Sequence, residues 1–274
     1  MKTWLITGAS SGLGLGMTTK LLERGDRVVA CGRRMAPFDA LARTAGDRLR
    51  CARFDITDTA ALRGEVDAAF AAFGRIDTVV SNAGYGLFGA AEEVTDDQIG
   101  RQVATNLVAS IQLVRAVLPH LRTQGGGRIL QVSSEGGQVA YPNFSLYHAT
   151  KWGIEGFLEA VAQEVAPFGI DVVIAEPGPT ATGFADGLDH AAPLGVYDPT
   201  PAGDVRRALS SGGFEIRGDA ERTVDAMIQV ADSARPRRRI ALGSTAFEHI
   251  HRALTDRLED LVQQKSLTFS ADRA

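Results

Sequence analysis

One feature constrains the fold more than any other: short β-rich runs at residues 4–6, 27–31, 49–54, 78–81, 128–133 and 171–175 alternate with stretches of helical length. Strands joined by crossovers of a dozen or more residues pair in parallel, and the connecting helices then cover both faces of the sheet. A seventh run at 239–242 completes the expected α/β fold, a doubly wound seven-stranded parallel sheet with helices on both faces. Helical spacing marks 13–24, 60–73 and 147–165, and Thr95 with Gln98 forms a capping box that opens a long helix reaching about residue 121. At 274 residues and 45% hydrophobic composition, a single domain over 1–274 is expected. Residues 183–218 break the rhythm, being rich in Gly, Pro and Ala with poor periodicity, which is the composition of a lid. Ser244 precedes Phe247, Ile250, His251, Leu254, Leu258 and Leu261, a stripe that predicts a C-terminal helix over 244–265 packed onto the body.

Composition narrows the function. A net charge of -4 with no long run of one sign leaves nothing to follow a phosphate backbone, so nucleic acid is not an expected partner. The first residues run straight into a strand without a charged leader, and no apolar stretch is long enough to span a bilayer, so no membrane association and a cytoplasmic location are expected. Cys31 and Cys51 fall in separate strands without metal-like spacing and read as two buried thiols. The five histidines are scattered, and His249 and His251, two apart on a helix, diverge around its axis, so no metal site is expected.

The segment Gly8-Ala9-Ser10-Ser11-Gly12-Leu13-Gly14 places three glycines where the first strand turns into the first helix. Glycine lets backbone approach a pyrophosphate, and the helix N-terminus supplies free N–H donors and a positive dipole, so the turn reads as a Rossmann-like dinucleotide site. About twenty residues on, where an NAD site offers a carboxylate to the ribose, stand Gly32, Arg33 and Arg34. A guanidinium fork with no acid beside it suits a 2′-phosphate, so NADP(H) is the expected cofactor.

Tyr147 and Lys151, four apart, share one face of a helix about 6 Å apart along its axis, which sets a cation beside a phenol. An ammonium there is expected to lower the phenol pKa from about 10 and make Tyr147 an acid/base. Ser133 and Ser134 end a strand and point to opposite faces, so only one reaches a substrate oxygen. Asn106 lies inside the long predicted helix, where its amide competes for backbone partners.

Taken together, Thr7-Gly8-x-x-x-Gly12-x-Gly14, Ser81-Asn82-Ala83-Gly84, Asn106, the serine pair, Tyr147-x-x-x-Lys151 and Pro177-Gly178 resemble the short-chain dehydrogenase/reductase family. The similarity runs over residues 4–182. It implies hydride transfer between nicotinamide and a carbonyl or alcohol carbon, with Asn106, Ser134, Tyr147 and Lys151 catalytic. Ser134, thirteen residues before Tyr147, is the serine the resemblance selects, leaving Ser133 to bond backbone. Asn106 is implied to interrupt its helix and to help bind a water that connects Lys151 to solvent. The cofactor set it implies is Gly8, Ser10, Ser11, Gly12, Leu13, Gly14, Arg33, Arg34, Asp55, Ile56, Asn82, Ala83, Gly84, Tyr147, Lys151, Pro177, Gly178, Thr180 and Thr182. A homodimer or homotetramer is the expected assembly.

For the substrate, the expected walls are Tyr85, Leu87, Phe88, Gln138, Tyr141, Phe144, Phe184, Leu188, Leu194 and Tyr197, with residues 183–218 as the substrate lid. This mostly apolar set points to a hydrophobic ketone or secondary alcohol as the small-molecule partner. Arg206, Arg207 and Arg217 of the lid read as solvated surface residues. The alternatives are a 3-oxoacyl thioester reductase using the same chemistry and a non-catalytic NADP(H)-sensing protein.

Overall fold

The computed structural model describes residues 1–213 and 215–273. Seven strands, β1 (Thr3–Thr7), β2 (Arg27–Gly32), β3 (Leu49–Arg53), β4 (Thr78–Ser81), β6 (Gly127–Val132), β7 (Ile170–Pro177) and β9 (Arg239–Leu242), form one sheet in the order β3-β2-β1-β4-β6-β7-β9, every pair parallel. Two-residue strands β5 (Leu87–Phe88) and β8 (Asp189–His190) pair separately, above the C-terminal ends of the main strands. The strand order reverses between β1 and β4, and at such a switch point an open parallel sheet leaves a crevice for a ligand.

Side chains alternate across the sheet and build a core on each face. Leu5, Val29, Val79 and Ile129 pack against Leu62 and Val66 of α3 (Thr59–Phe73), Leu113 and Val117 of α5 (Ala109–Thr123), and Ile154 and Leu158 of α6 (Ser145–Val165). Their neighbours Trp4, Ile6, Val28, Val80 and Leu130 face the other way, onto Met17 and Leu21 of α1 (Gly12–Glu23) and Val224 and Met227 of α8 (Ala220–Asp232).

Four features differ from what the sequence suggests. The capping box of Thr95 and Gln98 does open α4 (Asp96–Val103), but the long helix is split by a π-helical segment, Ala104–Val108, before α5. Inside 183–218 lies α7 (Pro201–Ser210), capped by Thr200, and α2 (Asp39–Ala45) and α8 were likewise not apparent from periodicity. Cys31 is buried, whereas Cys51 is exposed, because β3 is an edge strand. The C-terminal helix α9 (Ser244–Gln263), continued by α10 (Lys265–Phe269), does not lay its stripe on the body. Ala246 and Ile250 are buried, but Phe247, Leu254, Leu258 and Leu261 are 48–64% exposed.

Candidate active site

The candidate cofactor and catalytic residues lie at or just beyond the C-terminal ends of parallel strands, or on helices facing those ends. At two positions, Gly8 and Gly14, the turn after β1 leaves no room for a side chain. At Gly8 the φ of +64° is costly for a side chain, and a Cβ would come within 2.8 Å of the Ala83 backbone; a Cβ on Gly14 would meet the Gly8 carbonyl at 2.4 Å. Asn82 holds this turn by donating Nδ2–H to the carbonyls of Thr7 (3.0 Å) and Gly8 (3.2 Å), while the Thr7 hydroxyl accepts from the backbone of Asn82 and Ala83. Ser11 stands at the N-cap of α1 without capping it by its side chain, so the first N–H groups of a twelve-residue helix face the crevice with Ser10, Gly12 and Leu13. Thr182 lies across the turn, 3.9 Å from a Cβ on Gly12. A backbone cradle, an uncapped helix N-terminus and a switch-point crevice fit a dinucleotide pyrophosphate.

At the end of β2, Arg33 is 79% exposed at its side chain and sits 4.0 Å from the Asp55 carboxylate beyond β3; Arg34 is exposed and makes no ion pair among the described residues. Thr57 hydrogen bonds hold the Asp55 carboxyl below the usual carboxylate range, with Arg33 adding to the effect. Ile56 packs against the core edge.

Beyond β6, Ser134 caps a single 3-10 turn, its Oγ accepting from the Gly136 N–H at 3.1 Å. Tyr147 and Lys151 are buried one turn apart on α6, with the Lys151 ammonium 5.6 Å from the phenol ring centre and donating to the Val132 carbonyl at 3.0 Å. Burial, reinforced by the Glu135 and Glu155 carboxylates, pushes the Tyr147 phenol up to about 12, although a hydrogen bond with Ser134 pulls the other way. Burial draws the Lys151 amine down to about 8, against the opposing pull of Glu155. The expected lowering of the phenol by its cation is not seen: desolvation and two acids raise it, and Ser134 rather than Lys151 is the group that opposes them.

Asn106, in the π-helical segment, is buried and spends its amide on the backbone of Tyr85, donating to its carbonyl at 2.8 Å and accepting from its N–H at 3.1 Å. It thus fixes the chain just after Gly84. Pro177 and Gly178 end β7, and Thr180 donates to the Gly178 carbonyl at 2.8 Å.

Ser133 does not bond backbone through its hydroxyl. It donates to the buried Glu155 carboxylate at 2.5 Å, part of a cluster in which Arg239 also binds Glu155 (2.5 Å), Glu176 (2.6 Å) and Glu159 (2.7 Å). A second network starts one residue past Ser134. The Tyr141 hydroxyl donates to Glu135 at 2.8 Å and lies 2.8 Å from Nδ1 of His249, which comes from α9. His148 donates from Nδ1 to the Gly136 carbonyl (2.9 Å) and accepts at Nε2 from the Tyr141 N–H (3.0 Å), an arrangement that needs the neutral ring favoured by its burial. Sequence reasoning missed Glu135, His148, Glu155, Glu176 and Arg239; a His beside the tyrosine and a Glu four residues after the lysine were the only signals available.

Above Tyr147 the surroundings are apolar. Phe184 and Phe144 stand edge-on at 5.7 and 6.2 Å, Phe88 packs on Phe144 at 5.1 Å, and Leu188 crosses Gly86. Three expected wall residues have their polar groups committed elsewhere: the Gln138 amide to Glu176, the Tyr141 hydroxyl to Glu135 and the Tyr197 hydroxyl to Glu92. The lid arginines are all paired, Arg206 with buried Glu93 and with Asp198, Arg207 with Asp204, and Arg217 with Glu215. Among the described residues no cluster could hold a metal ion and no helix is long and apolar enough to cross a membrane.

Comparison with known proteins agrees with this geometry. The family model described as short chain dehydrogenase matches residues 2–192. The chain is 34% identical over 254 residues to Oxidoreductase BOA17 of Botryotinia fuckeliana, covering 92% of each chain, and 36% identical over 182 residues to 3-ketodihydrosphingosine reductase of Bacteroides thetaiotaomicron, covering 66% of this chain and 65% of the relative. A solved short-chain dehydrogenase from Streptomyces avermitilis superposes with a TM-score of 0.91 at 32% identity, covering 99% of this chain and 100% of the other. On the matched fold, the family model and the identity along nearly the whole length, the chain belongs to the short-chain dehydrogenase/reductase family of oxidoreductases.

Proposed function

We propose that this chain is an NADP(H)-dependent ketoreductase, acting on a hydrophobic ketone or the corresponding secondary alcohol. The observation that carries the reading is the buried pair Tyr147 and Lys151, with half-buried Ser134 beside them, beneath an apolar roof of Phe88, Phe144, Phe184 and Leu188, with each lid arginine already paired. An anionic substrate would need a guanidinium facing the cleft, and those in the lid are engaged in ion pairs.

The residues divide the work by their chemistry. The turn from Gly8 to Gly14, with Asn82 to Gly84, would hold the pyrophosphate and the floor of the site, and Asp55 and Ile56 the adenine. Arg33 and Arg34 would meet the 2′-phosphate, and Pro177, Gly178, Thr180 and Thr182 the nicotinamide end. The bound cofactor supplies the hydride for the carbonyl carbon. Ser134 donates its hydroxyl hydrogen to the substrate oxygen, since its lone pair already accepts from Gly136. Tyr147, pushed up to about 12, carries its proton at neutral pH and gives it to that oxygen as negative charge develops there, so C=O becomes CH–OH. Lys151 would donate to the cofactor ribose, and Asn106 would help bind a water that connects Lys151 to solvent and returns its proton. The small-molecule partner follows from the walls, and the name of the 3-ketodihydrosphingosine reductase among the relatives is in keeping with an apolar ketone.

The test is turnover of NADPH against alkyl, aryl and steroid-like ketones, with a 3-oxoacyl thioester beside them, for wild type and Tyr147→Phe. Wild type should reduce a hydrophobic ketone, and Tyr147→Phe should lose a hundredfold or more of the rate while keeping its NADPH affinity. Turnover of the thioester alone would shift the reading to an acyl-chain reductase, and NADPH binding without turnover of any compound would leave a sensor.

A further inference from the structure

The 3-10 turn that begins at Ser134 is tied down at two points. At Gly136 the carbonyl accepts from Nδ1 of His148, whose Nε2 takes the Tyr141 N–H, so this tie closes on α6. At Glu135, the residue after the serine, the tie runs outward to α9. The Tyr141 hydroxyl donates to Oε1 of Glu135 at 2.8 Å and lies 2.8 Å from Nδ1 of His249. With its one hydrogen spent on the carboxylate, the hydroxyl has to accept from the imidazole, so Nδ1 carries a proton. Nε2, which has no partner among the described residues, is left to take up a second, and the His249 side chain is 34% exposed. The other oxygen of Glu135, Oε2, is out of water, makes no hydrogen bond among the described residues and faces the same Nδ1 at 3.3 Å. The imidazole is held in this place because Ala246 and Ile250 on either side of it are buried, and because Arg257 lies over the Trp152 ring of α6 at 4.9 Å.

We propose that His249 is a positioning residue for the reaction: through Tyr141 and Glu135 it holds the turn that carries Ser134, and the charge of its imidazole sets how strongly the Glu135 carboxylate acts on the Tyr147 phenol, resting on the roles given above to Ser134 and Tyr147. Behind burial, Glu135 and Glu155 are the groups that raise that phenol. Glu155 is already bound by Arg239 and Ser133, whereas among the described residues no arginine or lysine pairs with Glu135. A buried carboxylate with one oxygen unmatched is costly, and an imidazolium at 3.3 Å is the charge that would balance it.

The other groups around the imidazole are fixed near neutrality. Burial and the facing Glu135 hold the Tyr141 phenol well above its ordinary value, so it keeps its proton. Burial keeps the His148 ring, 5.4 Å from that of Tyr141, neutral. One turn away on α9, Thr245, Ala246 and Ala253 carry no charge and Arg252 acts on Tyr141 as a constant cation, while Glu248 lies toward Arg217 and His251 stacks on Phe247. Gly178, where a Cβ would stand 3.4 Å from Oε2, brings no charge from the end of β7. Histidine changes charge between about pH 5 and 8, so His249 is the variable member. When it is charged, Glu135 is paired, its repulsion of a phenolate weakens and Tyr147 becomes a stronger acid for reduction; when it is neutral, the carboxylate acts in full.

Two measurements test this. In NADPH-dependent reduction, the ratio of the wild-type kcat to that of His249→Asn should rise roughly threefold or more as pH falls from about 8 to about 5.5, because asparagine keeps an N–H near the Nδ1 position but takes up no charge. In the Glu135→Gln background the same ratio should be flat, and His249→Ala, without the donor, should be slower than His249→Asn at every pH. The second measurement needs no turnover. Histidine-ring 15N NMR of the full chain, with the His249 signal identified by its loss in His249→Asn, should show the His249 midpoint falling by about half a pH unit or more in Glu135→Gln, while circular dichroism shows the fold retained. A rate ratio constant with pH, or a midpoint unmoved in Glu135→Gln, overturns the proposal. A wild type that reduces no ketone removes the reading of the site given above, and the NMR midpoint then decides alone whether His249 and Glu135 are coupled.

Discussion

Lys151 is held almost wholly out of water, with one carbonyl, that of Val132, to take its hydrogen bond. Its amine is drawn from 10.5 down to about 8, so between those values the unfolded chain carries a proton that the folded chain does not, and stability rises with pH through that window. Cys31 and Tyr147, both pushed up to about 12 by burial, act oppositely: the unfolded thiol and phenol lose their protons first, and stability falls above about pH 9. Chemical denaturation of wild type and Lys151→Met across pH 7 to 10.5 separates the lysine, because the other two groups cancel in the difference. That difference should move in favour of wild type by about 3 kcal/mol as pH rises; a flat difference would mean that Lys151 titrates normally. Arg33 gives a second residue-level prediction. A fork meeting a phosphate dianion is worth roughly 1.5 to 3 kcal/mol, so NADPH should bind ten- to a hundredfold tighter than NADH, with the margin shrinking as salt rises. Arg33→Ala should erase most of it. Gly32→Asp should reverse it, and the Cβ has room if Ser10, 3.2 Å away, yields by a few tenths of an ångström. Equal dissociation constants in wild type would remove Arg33 from the cofactor site.

Helix α6 shows how one element joins chemistry to stability. Tyr147, Lys151, Glu155 and Glu159 follow at intervals of four and form a row along one face. The upper half of the row faces the reaction site, and the lower half is gripped by Arg239 of the edge strand β9, which also binds Glu176 of β7. Glu176, buried beside Glu155, has its carboxyl raised by desolvation and by that neighbouring acid, so Arg239 is the group that makes the pair tolerable. Arg239→Met should destabilise the fold by about 2 to 4 kcal/mol in urea titration, since it strands buried acids, and Arg239→Lys should recover only part of the loss because an ammonium cannot fork across three carboxylates. A loss below about 1 kcal/mol would mean that the acids are protonated or hydrated without their arginine. The elements themselves were readable to different depths. Strand positions came out within a residue or two because a short continuous apolar run, buried on both faces of a parallel sheet, is written locally, and the capping box of α4 is a four-residue signal. The π-helical segment was not readable from spacing, since only the odd placement of Asn106 hinted at it, and α7 was hidden by the Gly, Pro and Ala around it.

At the scale of the whole molecule, most of the segment 183–218, proposed above as the lid, is already fastened. Asp189 is held by Gln98 and Arg101, Glu93 by Arg206 and the Leu194 N–H, and Asn143 donates to the Ala202 carbonyl. The stretch 183–188, which carries Phe184 over Tyr147 and Leu188 over Gly86, is hydrogen-bonded only by its own local turns among the described residues. Hydrogen exchange should therefore show protection gained at 183–188 when NADP and a ketone-like inhibitor bind together, with 201–210 protected in both states; identical exchange at 183–188 would exclude closure by this tip. What the sequence by itself determined is what neighbouring residues can encode: the alternation that makes a parallel sheet, the glycines of the first turn, and a tyrosine and lysine one helical turn apart. Tertiary structure alone decided which distant groups meet. Arg239 reaches Glu155 across 84 residues and His249 reaches Tyr141 across 108, and no local periodicity records such pairs. It also decided the fate of the C-terminal stripe. A row of leucines states that a helix has an apolar face, but how much of that face is covered depends on how the helix lies on the body, and α9 buries only Ala246 and Ile250 while touching α6 further on through Arg257 over the Trp152 ring.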